Sequence, residues 1–169
     1  MEIKILDIDL KDIGRKLLSL NAKKVFDEVR TISYFQNIQD NKEPFLKLTE
    51  EGDKLKLSSK VKELDTEIKL FVSRKAECLK LLSTLGYFPI SKVEARRTSY
   101  ELGSIDLDID EFPGIPPFLE IDMGNNPPIT QEKLIAQLGI EKNKRGDMST
   151  PEIVNSYGKP YFEMYMIAE

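Results

Sequence analysis

The chain has 169 residues, of which 40% are hydrophobic and 32% charged, and its net charge is −4. This length suits one globular domain, no apolar run reaches the roughly 20 residues of a membrane span, and the acidic balance disfavours a general nucleic-acid binder. The chain has no histidine and one cysteine, which excludes imidazole zinc sites, histidine-dependent triads and internal disulfides. Any metal would need carboxylate ligands, which favours Mg²⁺, Mn²⁺ or Ca²⁺, and a reducing cytoplasm is the default location.

The first part of the chain predicts a strand, a helix and three more strands. Asp9 is the expected N-cap of a helix at about 10–20, in which Leu10, Ile13 and Leu17 share one face. The predicted strands lie at about 2–8, 25–34, 45–49 and 54–61, with a polar loop over 36–44.

The second part repeats this order and then adds two short helices. Ser73 is the expected cap of a helix that ends at Gly86. Thr130 is the expected N-cap of a third helix, which is expected to end at Gly139. The segment Ser149-Thr-Pro-Glu152 predicts a capping box at the start of a fourth helix. Further strands are predicted at about 66–72, 90–102, 104–110 and 118–123, helices at about 130–138 and 149–157, and a loop at 141–148.

Short sequence matches indicate an internal duplication within one domain, residues 1–169. Glu-Ile-Lys occurs at 2–4 and again at 67–69, and Lys-Leu-Leu-Ser occurs at 16–19 and 80–83. Two halves, at about 1–61 and 65–123, would then pair into one closed sheet of eight strands, followed by the C-terminal helices. Coincidence is the alternative explanation for matches this short.

Charged and apolar residues alternate along several predicted strands, which places charge on one strand face. Glu2 and Lys4 oppose Ile3 and Ile5, and the same pattern recurs at 54–60, 105–110 and 119–122. An ordinary sheet with one solvated face explains any single strand. The amphipathic helices, however, can cover the apolar face from outside, and cations and carboxylates fall on different strands. We therefore expect an inward polar wall that grips a polyanion and its metal.

Five segments together resemble the CYTH superfamily, the triphosphate tunnel metalloenzymes. They are Glu2-Ile-Lys4, Leu46-Lys-Leu-Thr49, Leu57-Ser-Ser-Lys60, Arg96-Arg97 with Tyr100, and the most specific one, Ile109-Asp-Glu-Phe-Pro-Gly-Ile-Pro-Pro-Phe-Leu-Glu-Ile-Asp122. The superfamily includes class IV adenylate cyclases, thiamine triphosphatases and inorganic triphosphatases. The resemblance covers about residues 1–158.

The resemblance implies an α+β fold with a closed eight-stranded antiparallel β-barrel, helices outside, and a divalent-metal-dependent cyclase or triphosphatase. It implies Mg²⁺ or Mn²⁺ as cofactor and a small triphosphate as substrate, with no nucleic-acid or membrane partner, in a monomer or homodimer. The implied phosphate ligands are Lys4, Lys47, Lys60 and Arg97, the metal ligands Glu2, Glu120 and Asp122, and the catalytic residues Asp110, Lys60 and Arg97. Glu67, Lys69, Lys56 and Asp108 form a secondary set.

The sequence departs from the family pattern at four places. The opening Glu-x-Glu-x-Lys motif lacks its first Glu, Thr49 and Ala95 stand where cations are usual, and Gln36 stands where an aspartate often occurs. These departures motivate a second hypothesis, a non-catalytic triphosphate-binding module. A third hypothesis is a carrier barrel with an apolar lumen, which requires Ile3, Ile5, Leu107 and Ile121 to point inward.

Overall fold

The computed structural model describes residues 2–37, 46–61 and 66–166, and of these the side chains at 60, 61, 66 and 128 are left undescribed. The described residues form nine strands and five helices. In chain order these are β1 (Glu2–Ile5), α1 (Leu10–Ser19), β2 (Lys23–Asn37), β3 (Leu46–Glu51), β4 (Lys54–Val61), β5 (Thr66–Phe71), α2 (Lys75–Thr84), β6 (Tyr87–Leu102), β7 (Ile105–Glu111), β8 (Phe118–Asp122), α3 (Pro128–Leu138), β9 (Arg145–Gly146), α4 (Thr150–Ser156) and α5 (Tyr161–Met164).

All nine strands belong to one antiparallel sheet in the order β5-β4-β3-β2-β6-β7-β8-β1-β9. The predicted α+β class and antiparallel architecture are therefore confirmed. The sheet has one strand more than predicted, because Arg145 and Gly146 pair with Ile5 and Lys4 of β1. Within the described ranges, no hydrogen-bonded strand pair joins β5 to β9, so these two strands are the ends of the sheet.

The chain divides into two compact units, which share the strands β2 and β6. Unit 1 comprises Met1–Glu28 and Ala95–Tyr157, and unit 2 comprises Val29–Glu94 and Gly158–Glu169.

Unit 1 buries the apolar face of its strands beneath helices α1 and α3. Ile5, Leu107 and Ile121 are each 0% exposed and share one core with residues of both helices. The helices also meet directly, since the Lys16 Nζ donates to the Leu138 carbonyl oxygen at 2.6 Å. The core members from the two helices are Ile13, Leu17, Leu134, Ile135 and Leu138. In unit 1, the apolar-lumen hypothesis is therefore wrong.

Unit 2 buries only part of its apolar strand face beneath helix α2, since Ile68 and Leu70 of β5 on this face are 52% and 57% exposed. Cys78 and Leu82 of the helix form a core with Phe35 of β2 and Leu48 of β3. Because burial disfavours the charged thiolate, it raises the pKa of the Cys78 thiol. Cys78 is thus a small core residue, as the sequence predicts.

Three of the predicted helix boundaries are confirmed by their cap geometry. The Asp9 carboxylate accepts from the Asp12 backbone N at 2.8 Å, and Ser149 and Glu152 form the reciprocal capping box. Gly139 ends α3 in the left-handed region, at φ 64°. These three caps depend on local chemistry alone, and a sequence pattern therefore suffices to find them.

Two predicted caps are wrong, and two short elements were not predicted. Helix α2 begins after Arg74, so Ser73 does not cap it. Thr130 lies inside α3, because the helix already begins at Pro128, and proline is favoured at the first helical position. Elements α5 and β9 are too short to show a periodicity. Residues 36 and 37 continue β2, and the rest of the predicted loop, 38–44, lies outside the described residues.

Of the helices described, none is long and apolar enough to cross a membrane.

Candidate functional site

Rows of charged side chains cross one face of the strands in unit 1. Glu120 of β8 lies directly opposite Lys4 of β1 on one side and Asp108 of β7 on the other. In the next row, Asp122 lies opposite Glu2 and Asp106. Direct cross-strand partners have Cβ atoms about 4.5–5.5 Å apart and share a face. The register therefore brings the predicted Glu2, Lys4, Glu120 and Asp122 onto the face opposite the helices.

Arg97 is the centre of the first charged cluster in this face. Its Nε donates to Asp110 Oδ1 at 2.7 Å, its Nη2 lies 3.4 Å from Glu120 Oε2, and its Nη1 donates to Asp108. The Arg97 side chain is 15% exposed and that of Asp110 is 0% exposed. Burial alone lowers the pKa of Arg97, but Asp110, Glu120 and Asp108 raise it above its ordinary value. Arg97 is therefore a fixed positive charge.

Lys4 forms the second cation of the same face. Its Nζ donates to the Glu2 carboxylate and lies 3.5 Å from Glu120 Oε2. Burial lowers the pKa of Lys4, but Glu120 and Glu2 raise it above the ordinary lysine value. The pKa of Glu120 is also raised, first by burial and then by Glu2 and Asp110, although Arg97 and Lys4 oppose this. Glu120 thus joins both cations of unit 1's polar face.

Carboxylates outnumber cations in this face, which we call the acidic face. Its carboxylates are Glu2, Glu101, Asp106, Asp108, Asp110, Glu120 and Asp122, and its cations are Lys4 and Arg97. The predicted ligands Glu2, Glu120 and Asp122 supply the oxygen donors that Mg²⁺ and Mn²⁺ prefer. Glu120 is engaged with Lys4 and Arg97, however, and Asp122 accepts from the Gly124 backbone N at 3.0 Å. Across the described residues, no three acidic groups are gathered closely enough to hold a metal ion.

A row of polar residues crosses four strands of unit 2. Tyr34 of β2 lies opposite Lys47 of β3, Lys47 opposite Ser58 of β4, and Ser58 opposite Lys69 of β5. The neighbouring pair is Lys60 and Glu67. The predicted Lys47, Lys60, Glu67 and Lys69 therefore share one strand face, although the side chain of Lys60 lies outside the described part of the chain.

Glu67 joins the two lysines of this row. Its carboxylate lies 3.4 Å from Lys47 Nζ and 3.0 Å from Lys69 Nζ. Burial raises the pKa of Glu67, but Lys47 and Lys69 lower it further, to about 2. The pKa of Lys47 is lowered as well, because burial and the nearby Lys56 and Arg30 outweigh Glu67. Burial thus disfavours the charged form of Lys47, and an added anion would stabilise that form.

Unit 2's polar face, which we call the basic face, also contains cations outside the predicted row. Arg30 was not predicted, and it is 6% exposed with its Nη1 3.2 Å from Glu51 Oε1. The alternation Arg30, Ile32, Tyr34 along β2 is the sequence signal that could have found it. The described cations of this face are Arg30, Lys47, Lys54, Lys56 and Lys69, and its carboxylates are Glu51 and Glu67.

Two of the departures from the family pattern are buried. Thr49 is 2% exposed beside Lys56 on the basic face, and Ala95 is 1% exposed on β6.

A separate pocket of about 200 Å³ opens at the turn between β3 and β4, where Glu50, Asp53 and Lys75 line it. None of the predicted site residues lines this pocket.

Comparisons with known proteins establish what this fold resembles. No family model and no curated protein sequence matches the chain. A Vibrio parahaemolyticus structure named "putative adenylate cyclase" is similar with a TM-score of 0.79 at 17% identity, covering 92% of this chain and 97% of that one. A Pyrococcus horikoshii OT3 protein is similar with a TM-score of 0.67 at 21% identity, covering 85% and 94%. A Hippeastrum "putative adenylyl cyclase", described as having a dominant triphosphatase activity, gives a TM-score of 0.62 at 13% identity, covering 94% and 97%. At these identities the likeness shows the fold alone, which is the antiparallel α+β fold that the sequence predicts.

Proposed function

We propose that this chain is a divalent-metal-dependent enzyme that binds a triphosphate-containing substrate and acts as a class IV adenylate cyclase-like enzyme or a triphosphatase. The observation that carries the proposal is the separation of charge between the two polar faces. The acidic face supplies oxygen ligands for a hard cation, and the basic face supplies ammonium and guanidinium donors for phosphate. Proteins of this fold named as cyclases, one of them with a dominant triphosphatase activity, support the same proposal.

Each unit by itself presents cations that suit phosphate oxygens. Lys47, Lys60 and Lys69 lie within two adjacent rows of the basic face, and Lys4 and Arg97 are held by carboxylates in the acidic face. A triphosphate carries about four negative charges, and fixed cations that neutralise its oxygens lower the barrier to attack at phosphorus. Glu67 keeps Lys47 and Lys69 close together before the ligand arrives.

Metal binding falls to Glu2, Glu120 and Asp122. The three residues share one sheet face and have the oxygen donors that Mg²⁺ and Mn²⁺ prefer, but they are not gathered around one point, and a metal would have to displace Lys4 and Arg97 from Glu120. A bound metal would neutralise phosphate oxygens and polarise the phosphorus. Asp110, fully buried against Arg97, fixes the guanidinium so that it can address a phosphate oxygen in one orientation.

Two reactions are compatible with these groups. In the hydrolase version, water attacks the terminal phosphorus, the bond from that phosphorus to the bridging oxygen breaks, the diphosphate part of the substrate leaves, and the attacked group becomes orthophosphate. In the cyclase version, the 3′-hydroxyl of a nucleoside triphosphate attacks the α-phosphorus and pyrophosphate leaves. We place the protein in the cytoplasm, as a monomer or homodimer without a nucleic-acid or membrane partner.

Product analysis tests the proposal directly. The protein is incubated with ATP, thiamine triphosphate or tripolyphosphate, each with Mg²⁺ or Mn²⁺, and the products are separated. Orthophosphate identifies a triphosphatase, and a cyclic nucleotide with pyrophosphate identifies a cyclase. If none of the three compounds is converted with either metal, the protein is not the enzyme proposed.

A second candidate, a triphosphate-binding module without catalysis, is favoured by one specific observation. Thr49 and Ala95 are buried, at 2% and 1% exposure, in places where the family pattern has cations, so the chain lacks two of the expected phosphate ligands. Removal of one preorganised donor lowers enzymatic rates by about 100- to 1,000-fold. Tight binding of tripolyphosphate without any product would support this candidate over the enzyme.

A further inference from the structure

Glu120 is the carboxylate at which the two cations of the acidic face meet. Its Oε2 lies 3.5 Å from Lys4 Nζ and 3.4 Å from Arg97 Nη2. The side chains of Lys4 and Arg97 are 6% and 15% exposed, and that of Glu120 is 18% exposed. Ion pairs with so little access to solvent are screened less by water and salt than surface pairs are. Both cations are therefore firmly associated with Glu120.

The position of Lys4 conflicts with metal binding at the same oxygens. Its ammonium contacts Glu2 and Glu120, which are two of the three proposed metal ligands. A divalent cation bound to either carboxylate would lie close to this ammonium, and the two like charges would repel each other. In the described part of the chain, no three acidic groups are placed to hold one metal ion. Lys4 therefore competes with a metal for Glu2 and Glu120.

The two cations differ in how freely they can leave Glu120. Arg97 is anchored by Asp110, whose side chain is 0% exposed, and its Nε donates to that carboxylate at 2.7 Å. Lys4 has a flexible four-carbon stem and a single ammonium group, which can turn towards a new partner. A phosphate group beside Arg97 can accept from Lys4 as well, because both cations flank Glu120. Lys4 is therefore the cation that moves when a phosphate arrives, and Arg97 stays in place.

We propose that Lys4 is an internal counter-ion that occupies the metal ligands, and that the triphosphate must draw it away before a metal binds at Glu120. The inference rests on the proposed function, because it concerns the same site. It adds an order of binding, in which the anion comes first and the metal second. Binding of the anion removes the competitor of the metal, so the two ligands bind cooperatively. By thermodynamic linkage, the metal raises the affinity for the anion by the same factor.

Binding of Mn²⁺ without any phosphate compound tests the role of Lys4. The variant Lys4→Met keeps an unbranched side chain and removes the charge. We expect it to bind Mn²⁺ about tenfold more tightly than the wild type, as for ligands that are occupied in about 90% of molecules. The electron paramagnetic resonance signal of free Mn²⁺ measures the affinity. Arg96→Met is the matched control, since it removes an equal charge at a 48% exposed position where Arg96 pairs with Asp27, and it should bind Mn²⁺ as the wild type does. Equal or weaker binding by Lys4→Met would overturn the inference.

A second measurement on the wild-type protein decides the question even if Lys4→Met does not fold. Isothermal titration calorimetry follows the binding of tripolyphosphate, once with EDTA and once with Mn²⁺. We expect binding in EDTA, because the anion comes first, and binding that requires Mn²⁺ would contradict the proposed order. If tripolyphosphate binds under neither condition, the proposed function and this inference both fail. Conversion of a triphosphate by the wild type, together with an unaltered Mn²⁺ affinity in Lys4→Met, rejects the internal counter-ion alone.

Discussion

The two units have the same plan and opposite polar faces. In each, helices pack on the apolar face of antiparallel strands, completely over the core of unit 1 and only in part in unit 2, and charged residues occupy the other face. In unit 1 that face is mainly carboxylate, and in unit 2 it is mainly ammonium and guanidinium. Strand alternation decides which residues share a face, but it does not decide their charge. The opposite charges of the two polar faces are therefore the feature that bears on function, whereas the common arrangement of helices and strands reflects only the fold.

Each face is also organised around a charge of the minority sign. Arg97 is held by three carboxylates in the acidic face, and Glu67 is held by two lysines in the basic face. Arg97 is the more buried of the two, at 15% exposure against 29% for Glu67. We call Arg97 with its three carboxylates the acidic-face clamp, and Glu67 with its two lysines the basic-face clamp. Because the energetic cost of an unpaired charge rises with burial, breaking the acidic-face clamp should destabilise the protein more. The predictions that follow test this difference and the roles of the two faces.

The largest effect is expected for Arg97→Met in the acidic face. The substitution keeps the bulk of the side chain but leaves the Asp110 carboxylate, which is 0% exposed, without its cation. We expect the free energy of unfolding to fall by about 3–5 kcal/mol, as measured by urea denaturation. Arg96→Met is the matched control, since the Arg96 side chain is 48% exposed, and it should cost less than about 1 kcal/mol. Equal losses for both variants would show that the acidic-face clamp is not special.

Glu120→Ala tests whether the acidic face serves the chemistry. Glu120 contacts both Lys4 and Arg97 and is a proposed metal ligand. We expect metal-dependent turnover to fall at least about 100-fold, with the fold retained as judged by circular dichroism. Glu94→Ala, at an exposed position of β6, should leave the rate unchanged. An unaltered rate in Glu120→Ala would remove this residue from the site and weaken the functional assignment of the acidic face.

Glu67→Gln tests the clamp of the basic face through its pH dependence. The pKa of Glu67 is lowered from 4.5 to about 2, so its ionisation stabilises the fold above pH 4.5 and this contribution disappears as the pH falls towards 2. We expect the variant to be less stable than the wild type by about 2 kcal/mol at pH 7, a value reduced for partial solvent screening. Urea denaturation between pH 2 and 7 should show this difference shrinking towards zero. A difference that does not change with pH would mean that the charge of Glu67 contributes nothing.

Lys47→Ala tests the ligand assigned to the basic face. Lys47 lies near Lys56 and Arg30 with Glu67 as its counter-ion, and burial disfavours its charged form, which a bound anion would stabilise. We expect tripolyphosphate to bind about tenfold more weakly and pyrophosphate to lose less, because the longer anion spans more of the row. Calorimetric titrations with both anions measure the two losses. Lys80→Ala, at an exposed position of α2, should change neither, and equal losses for both anions in Lys47→Ala would contradict the assignment.

Much of the fold could be predicted from the sequence, because the deciding signals are local. The alternation of Glu2 and Lys4 with Ile3 and Ile5 places each residue on a face without knowledge of its partners. The ion pair of Lys47 with Glu67 could not be predicted, since it depends on the register of three strands. The roles assigned to the site residues from the family resemblance stay predictions, for which the geometry supplies only the placement.

Other features escaped prediction for identifiable physical reasons. Arg30 went unnoticed because a cation in a long strand gives no signal until its burial and its partner Glu51 are known. Helix α5 is too short for a hydrophobic periodicity, and its stability comes from the contacts of Tyr161 with distant Tyr34. Both features depend on contacts between residues far apart in the sequence, and a local sequence pattern cannot predict such contacts.

The smallest effect concerns the helix that covers the apolar face of each unit. Helix α1 of unit 1 has a side-chain cap from Asp9, whereas helix α2 of unit 2 begins after Arg74 without one. We expect Asp9→Ala to lower the free energy of unfolding by about 1 kcal/mol and Ser73→Ala to change it by less than about 0.5 kcal/mol, both measured by urea denaturation. A larger loss in Ser73→Ala would mean that Ser73 does start α2. The two units would then resemble each other in their helix caps, and their difference would be confined to the charges of their polar faces.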